Sequence, residues 1–190
     1  MTDRLFFTES DDANELLASD AMALLIGFVL DQQVTVQKAF SGPLVICERV
    51  GSLDARILAE ADLDTAFREK PAIHRFPGSM AERVSELATV VRDQYGADAS
   101  RIWSEATDAD DLRGRLAALP GFGEMKIASL AAVLSKRFGV KAAEGLTPGH
   151  PTLGDVTSLE TLYEYQAGKR AHKAAMRAAE AGRKATKPQA

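Results

Sequence analysis

The 190-residue chain contains a single cysteine, Cys47. That excludes a disulfide within the chain and the four-thiolate ligation of an iron-sulfur cluster. Set in Leu44-Val45-Ile46-Cys47, the thiol reads as a small core residue. No uninterrupted apolar run reaches the roughly 18 to 20 residues of a membrane span. The start Met1-Thr2-Asp3, with Glu9, Asp11 and Asp12 following, is unlike a signal peptide, and a cytoplasmic location is expected. Aromatic residues make up only 6%, too few for an obvious stacking cage. Alternating strand patterns and internal repeats are also lacking, so the expected fold is all-α.

What is present is an ordinary globular composition, 46% hydrophobic and 26% charged. It suffices for one core that can divide into two lobes. Residues 1–19 read as a weakly ordered arm with a short helix near Asp11 to Ala18, 20–168 as the helical domain, and 169–190 as a basic tail. Asp20 is the expected N-cap of a helix from Ala21 to Leu30 that is apolar nearly all round and therefore central. A helix over Val34 to Val50 is expected to break at Ser41-Gly42-Pro43. Short helices over Asp54 to Ala61 and Leu63 to Lys70 follow. A long amphipathic helix begins at Gly78 or Ser79 and ends at Gly96, with Met80, Val84, Leu87 and Val91 on its apolar face. Arg101-Ile102-Trp103 reads as a short packing turn, Asp108 to Leu119 and Met125 to Phe138 as helices, Val140 to Gly154 as a loop, and Ser158 to Arg177 as the last helix. The net charge of −4 hides an asymmetry, because 169–190 holds seven basic residues and one acid, +6, against −10 for the rest. Such a tail suits salt-sensitive phosphate contacts or a solvated terminal helix.

The most specific stretch is Leu119-Pro120-Gly121-Phe122-Gly123, entered from one amphipathic segment and left by another. Several N–H groups at the start of the second helix lack intrahelical partners and form a socket for a phosphate. A plain helix-helix connection could use the same glycines. With no preceding strand and no Lys-Ser/Thr pair, the stretch is not a nucleotide-triphosphate loop, and a nucleic-acid backbone is the better fit.

Two further blocks lie upstream, Ala21 to Thr35 ending in Asp31-Gln32-Gln33, and Phe76-Pro77-Gly78-Ser79-Met80-Ala81-Glu82-Arg83-Val84. Together with the Leu119 to Gly123 turn they stand in the order and near the spacing of the helix-hairpin-helix GPD superfamily of base-excision repair DNA glycosylases, which the chain resembles from about Ala21 to Gly139. The resemblance implies two helical lobes around a cleft, into which a damaged or mispaired base of double-stranded DNA is flipped for cleavage of its N-glycosidic bond. It implies that Gln33, or failing that Gln32, fills the space left by that base. Met80 and the turn before it then face the cleft, while Leu119, Gly121, Phe122, Gly123 and Met125 meet the DNA. The carbonyls of Ala117, Leu119 and Phe122 would ring a monovalent cation. Endonuclease III and the adenine glycosylases usually carry an iron-sulfur cluster, which one cysteine forbids here; no other cofactor is expected.

Catalytic residues are less well marked. Members that also cleave the strand place a Schiff-base lysine two residues after the second glycine, where this chain has Met125. Lys126 comes one residue later, about 100° around the helix, and is expected to point away from the pocket; a monofunctional enzyme follows. The carboxylate that stabilises the sugar cation is sought after the second helix, at Glu144 or at Asp155, with Asp31 a third candidate. His150 could act as an acid-base group, and His74 and Arg75 could touch DNA or lie on an ordinary surface. Two other readings remain: a non-catalytic DNA-binding module that has lost the acid, and a helical protein-interaction domain. A monomer is expected in each.

Overall fold

A computed structural model describes residues 2–185 of the chain. Among the described residues every regular element is helical, and no single helix is long and apolar enough to cross a membrane. The fold is all-α.

Helix α2, Ala21–Leu30, has nine of its ten residues buried. Asp20 starts it by accepting the Ala23 N–H at 2.9 Å, satisfying one of the four donors that a helix start leaves over. Helix α3, Val36–Val50, lies against α2, so closely that a Cβ on Gly27 would stand 2.4 Å from the Phe40 ring. The expected break at Ser41-Gly42-Pro43 does not occur, and α3 runs through Pro43. Packing against α2 overrides the local signal, because the bare Cα of Gly42 admits Leu30 Cδ1, which lies 2.4 Å from where a Cβ would be.

Residues before α2 are not a loose arm, and that expectation is corrected. Leu5 and Phe7 are fully buried, and Phe7 meets Phe40 edge-on at 4.9 Å between centroids. Helix α1, Asp11–Ser19, supplies the clamp through Asn14. Its Oδ1 accepts the N–H groups of Phe7 and Thr8 at 3.1 and 3.0 Å, while its Nδ2 donates to Thr8 O at 3.0 Å. The amide side chain thus satisfies an irregular strand of buried backbone.

Helices α4 (Ala55–Leu58) and α5 (Leu63–Arg68) pack on α6 (Pro77–Tyr95). α6 begins at Pro77, ahead of the expected Gly78, since proline suits the first helical position. It stops at Gly96, whose φ of 62° is left-handed. After α7 (Arg101–Ser104) and α8 (Ala109–Ala117), the chain turns into α9 (Glu124–Phe138). The region expected as a loop after α9 contains two 3₁₀ turns, Lys141–Leu146 and Leu153–Asp155, both packed on α9. Helix α10, Leu159–Ala185, extends past the expected Arg177; the basic residue Lys187 lies outside the described residues. One apolar cluster joins these elements, from Leu5 through Phe28, Val84 and Leu130 to Leu162.

Candidate functional site

The turn between α8 and α9 is pinned from below by Leu119 and Phe122, 3% and 7% exposed. The Phe122 N–H donates to Leu119 O at 3.2 Å, so one of the three carbonyls expected to ring a cation is already engaged inside the turn. Gly121 has φ +80°, and a Cβ there would fall 2.6 Å from Arg83 Cδ. Only glycine meets both conditions without cost. Gly123 is extended and caps α9 without a side-chain bond; its carbonyl takes the Lys126 and Ile127 N–H groups at 2.9 and 3.0 Å. Among the described residues the N–H groups of Gly123, Glu124 and Met125 have no acceptor.

This helix start opens on a cleft of about 540 Å³, whose other walls are Gln32, from the loop after α2, and Arg83, from α6. Glu124 lines it too and is paired with Arg113. Met125 stands at its edge, 86% exposed. Contrary to the expectation from helical rotation, Lys126 does not turn away but lines the cleft. Rotation sets only the direction of the Cα–Cβ bond, and the flexible stem carries the ammonium to Val29 O, 3.0 Å away, at the negative end of α2. Burial lowers the Lys126 pKa to about 8, Asp31 opposing and Arg83 adding to the effect. Burial likewise raises the Asp31 carboxyl, against the pull of Lys169 and Lys126.

The loop after α2 is held from the segment before α6. His74 is buried, 2% exposed, which removes it from the surface where the sequence reading left room for it. Its Nδ1 accepts the Phe76 N–H and its Nε2 lies on Gln32 O, both at 3.1 Å. That pairing requires the neutral Nε2–H tautomer, and burial, the dominant influence, lowers the His74 pKa in the same sense. Arg75 reaches Gln33 O at 3.5 Å and lies over the Phe76 ring at 4.8 Å. Gln33 itself is exposed at φ +54°, a left-handed conformation uncommon outside glycine. Gln32 instead folds back, its Nε2 donating to Val29 O at 3.3 Å. Met80, expected at the cleft, is 4% exposed and belongs to the core; on α6 it follows the apolar face rather than the Arg83 face.

The candidate carboxylates are not equivalent. Glu144 is exposed on the 141–146 turn and does not line the cleft. Asp155 accepts from Lys136 Nζ at 2.6 Å and from the Thr152 N–H and Oγ1 at 2.8 and 3.0 Å. Burial alone would raise its carboxyl, but these bonds outweigh it and hold it below the ordinary value. Asp155 thus closes a capping box. Asp31 does not itself line the cleft, but it adjoins Gln32, which does, and it acts on Lys126. His150 is exposed and turned to Pro151 O at 3.2 Å. Among the described residues no three His, Cys, Asp or Glu side chains converge as metal ligands.

Three participants were not singled out from sequence. Arg83 stood only within the block Phe76 to Val84, with no role of its own. Tyr165 and Lys169, whose ammonium lies 5.3 Å from the Tyr165 ring centroid, come to Asp31 from more than 130 residues away, and no local pattern marks them. No family model, curated protein or solved structure matches the chain.

Proposed function

We propose that the cleft binds the backbone of duplex DNA and that the protein is a base-excision DNA glycosylase of the helix-hairpin-helix GPD kind. In this reading α8, the 118–123 turn and α9 are the hairpin, and the cleft lies between two helical lobes. The observation that carries it is a convergence. Three unpartnered N–H groups at the start of α9, Arg83 and Lys126 meet at one cleft, and Gln33 stands exposed on the adjoining loop. Neutral donors and two cations suit a phosphate, and an exposed amide suits a base edge.

Hydrolysis of a flipped base breaks the bond from C1′ to the base nitrogen and joins a water oxygen to C1′; the proton the water gives up passes first to a carboxylate and from there, through solvent, to the departing base nitrogen. Asp31, rather than Glu144 or Asp155, is assigned the carboxylate role, stabilising the sugar cation and receiving the proton from water. Lys126, tied to Val29 O, is assigned to phosphate rather than to a Schiff base, which keeps the enzyme monofunctional.

The test is incubation with duplexes each carrying one lesion or mismatch, followed by alkali and sizing of the labelled strand. Cleavage only after alkali, abolished in Asp31→Asn with binding retained, is the expected result. Cleavage without alkali would instead make Lys126 the nucleophile. A second reading, a non-catalytic DNA-binding module, is favoured by one observation: the carboxylate lining the cleft itself, Glu124, is taken by Arg113. Binding without cleavage of any duplex would decide for it.

A further inference from the structure

Helix α10 leaves the body of the molecule with its rotation fixed. Gln166 exchanges hydrogen bonds with Gln37 of α3 at 3.3 and 2.5 Å, and Tyr163 donates to Glu9 at 2.7 Å. Beyond this anchor, from Ala167 to Ala178, every described side chain is exposed. At about 1.5 Å per residue, that stretch carries the helix about 18 Å past Gln166. Arg170 and Arg177 follow Gln166 by four and eleven residues, which places them within about 40° of it around the helix. They continue the face that Gln166 turns toward α3. Neither makes an ion pair among the described residues. The stripe belongs to a basic segment, +6 over 169–190, on a chain whose other 168 residues carry −10, so its charge complements a polyanion.

We infer that the exposed face of α10 bearing Arg170 and Arg177 is a second DNA-backbone contact, engaging the flank of the duplex whose phosphate sits at the start of α9. The inference rests on the nucleic-acid reading of the cleft and adds to it a footprint longer than the cleft. Arg170 and Arg177 are about 10.5 Å apart along the axis, the span of about three phosphates of one strand. Its function is affinity and placement without base readout, since guanidinium-phosphate contacts carry no sequence information.

The experiment is fluorescence anisotropy with an unmodified labelled duplex of about 24 base pairs, titrated from about 0.05 to 0.3 M salt. It compares the wild-type chain, Arg170→Gln/Arg177→Gln, and Arg83→Gln. Glutamine keeps the helix propensity of arginine, and far-ultraviolet circular dichroism verifies that α10 persists. The double variant is expected to lower the slope of log affinity against log salt by about 1.8, because each phosphate contact contributes about 0.9. At about 0.1 M salt that corresponds to a loss of up to about 8-fold per contact. An unchanged slope in the double variant, with Arg83→Gln weakened, overturns the α10 contact and leaves the cleft reading standing. A lowered slope in the double variant with Arg83→Gln unchanged supports α10 and overturns the cleft. A wild-type chain that binds no duplex overturns both.

Discussion

Two glycines two positions apart, Gly121 and Gly123, should respond to the same substitution in different ways. At Gly121 the backbone is left-handed, φ +80°, which costs a residue with a Cβ about 1–2 kcal/mol. The Cβ would also stand 2.6 Å from Arg83 Cδ; driving that side chain off its rotamer adds about 0.5–1.5 kcal/mol. Alanine's reduced freedom in the unfolded chain returns about 0.4–1 kcal/mol. The net loss for Gly121→Ala is therefore about 0.5–3 kcal/mol, or about 1–12 °C in Tm for a chain of this size. At Gly123 φ is −99°, and nothing lies within 4 Å of the added Cβ. There the unfolded-state gain and the poorer alanine cap offset one another, leaving a stability change within about 0.5 kcal/mol. Binding should sort the pair differently, because a methyl at Gly123 stands where a phosphate would approach the three free N–H groups. A loss of at least about tenfold in duplex affinity is expected for Gly123→Ala, as for one charge-assisted hydrogen bond. Calorimetric melting and anisotropy on both variants provide the check. Equal melting temperatures for the two variants would refute the geometric argument, and undiminished duplex affinity of Gly123→Ala would refute the phosphate socket.

Lys126, with its pKa lowered to about 8, should lose its charge across the mildly alkaline range. Duplex affinity is expected to fall between about pH 7 and 9, and Lys126→Gln should remove that dependence; an identical profile in the variant would contradict the assignment. His74 has a folded pKa below its ordinary 6.5, so the unfolded chain binds the proton more readily. Its contribution is complete above about pH 6.5 and is lost as pH falls below that value. Urea midpoints at pH 7.5 and 5.5 should therefore differ more in the wild type than in His74→Phe. The same variant leaves Gln32 O and the Phe76 N–H unpaired, at a cost of about 1–3 kcal/mol at pH 7.5. Arg49, whose side chain is 12% exposed, donates to the carbonyls of Ala66, Glu69 and Pro71. Arg49→Met is expected to cost about 2–4 kcal/mol in urea unfolding; a loss under 0.5 kcal/mol would show that water replaces those bonds without penalty.

Caps and periodicity made most of the helices legible. Asp20, Gly96 and Gly139 mark ends that local chemistry enforces, and the apolar run Ala21 to Leu30 could only be a buried helix. The misreadings fall where distant contacts decide. Pro43 stays helical because of Leu30, and residues 5–8 are ordered because of Asn14. Lys126 enters the cleft because an acceptor, Val29 O, lies across it. At the candidate site the turn and the glutamine loop were readable as motifs. The companionship of Asp31 with Lys126, Tyr165 and Lys169 was not, since it arises from the reach of the Lys126 stem across to α2 and from the return of α10. The carboxylates illustrate the same limit. Asp155 and Glu144 stand near a plausible chain position, but one is spent on Lys136 and Thr152 and the other faces solvent.

Gly154 meets α9 through backbone alone: a Cβ there would stand 2.4 Å from Ala132 O. With no side-chain layer between them, the 153–155 turn and α9 have no soft material in which to shear. α9 therefore behaves as a rigid rod, about 22 Å long, bearing the Gly123 N–H groups at one end and this weld past its middle. Any tilt imposed at the Gly121–Gly123 end must carry the root of α10 with it, so the two candidate contacts with a long polyanion form a single mechanical unit.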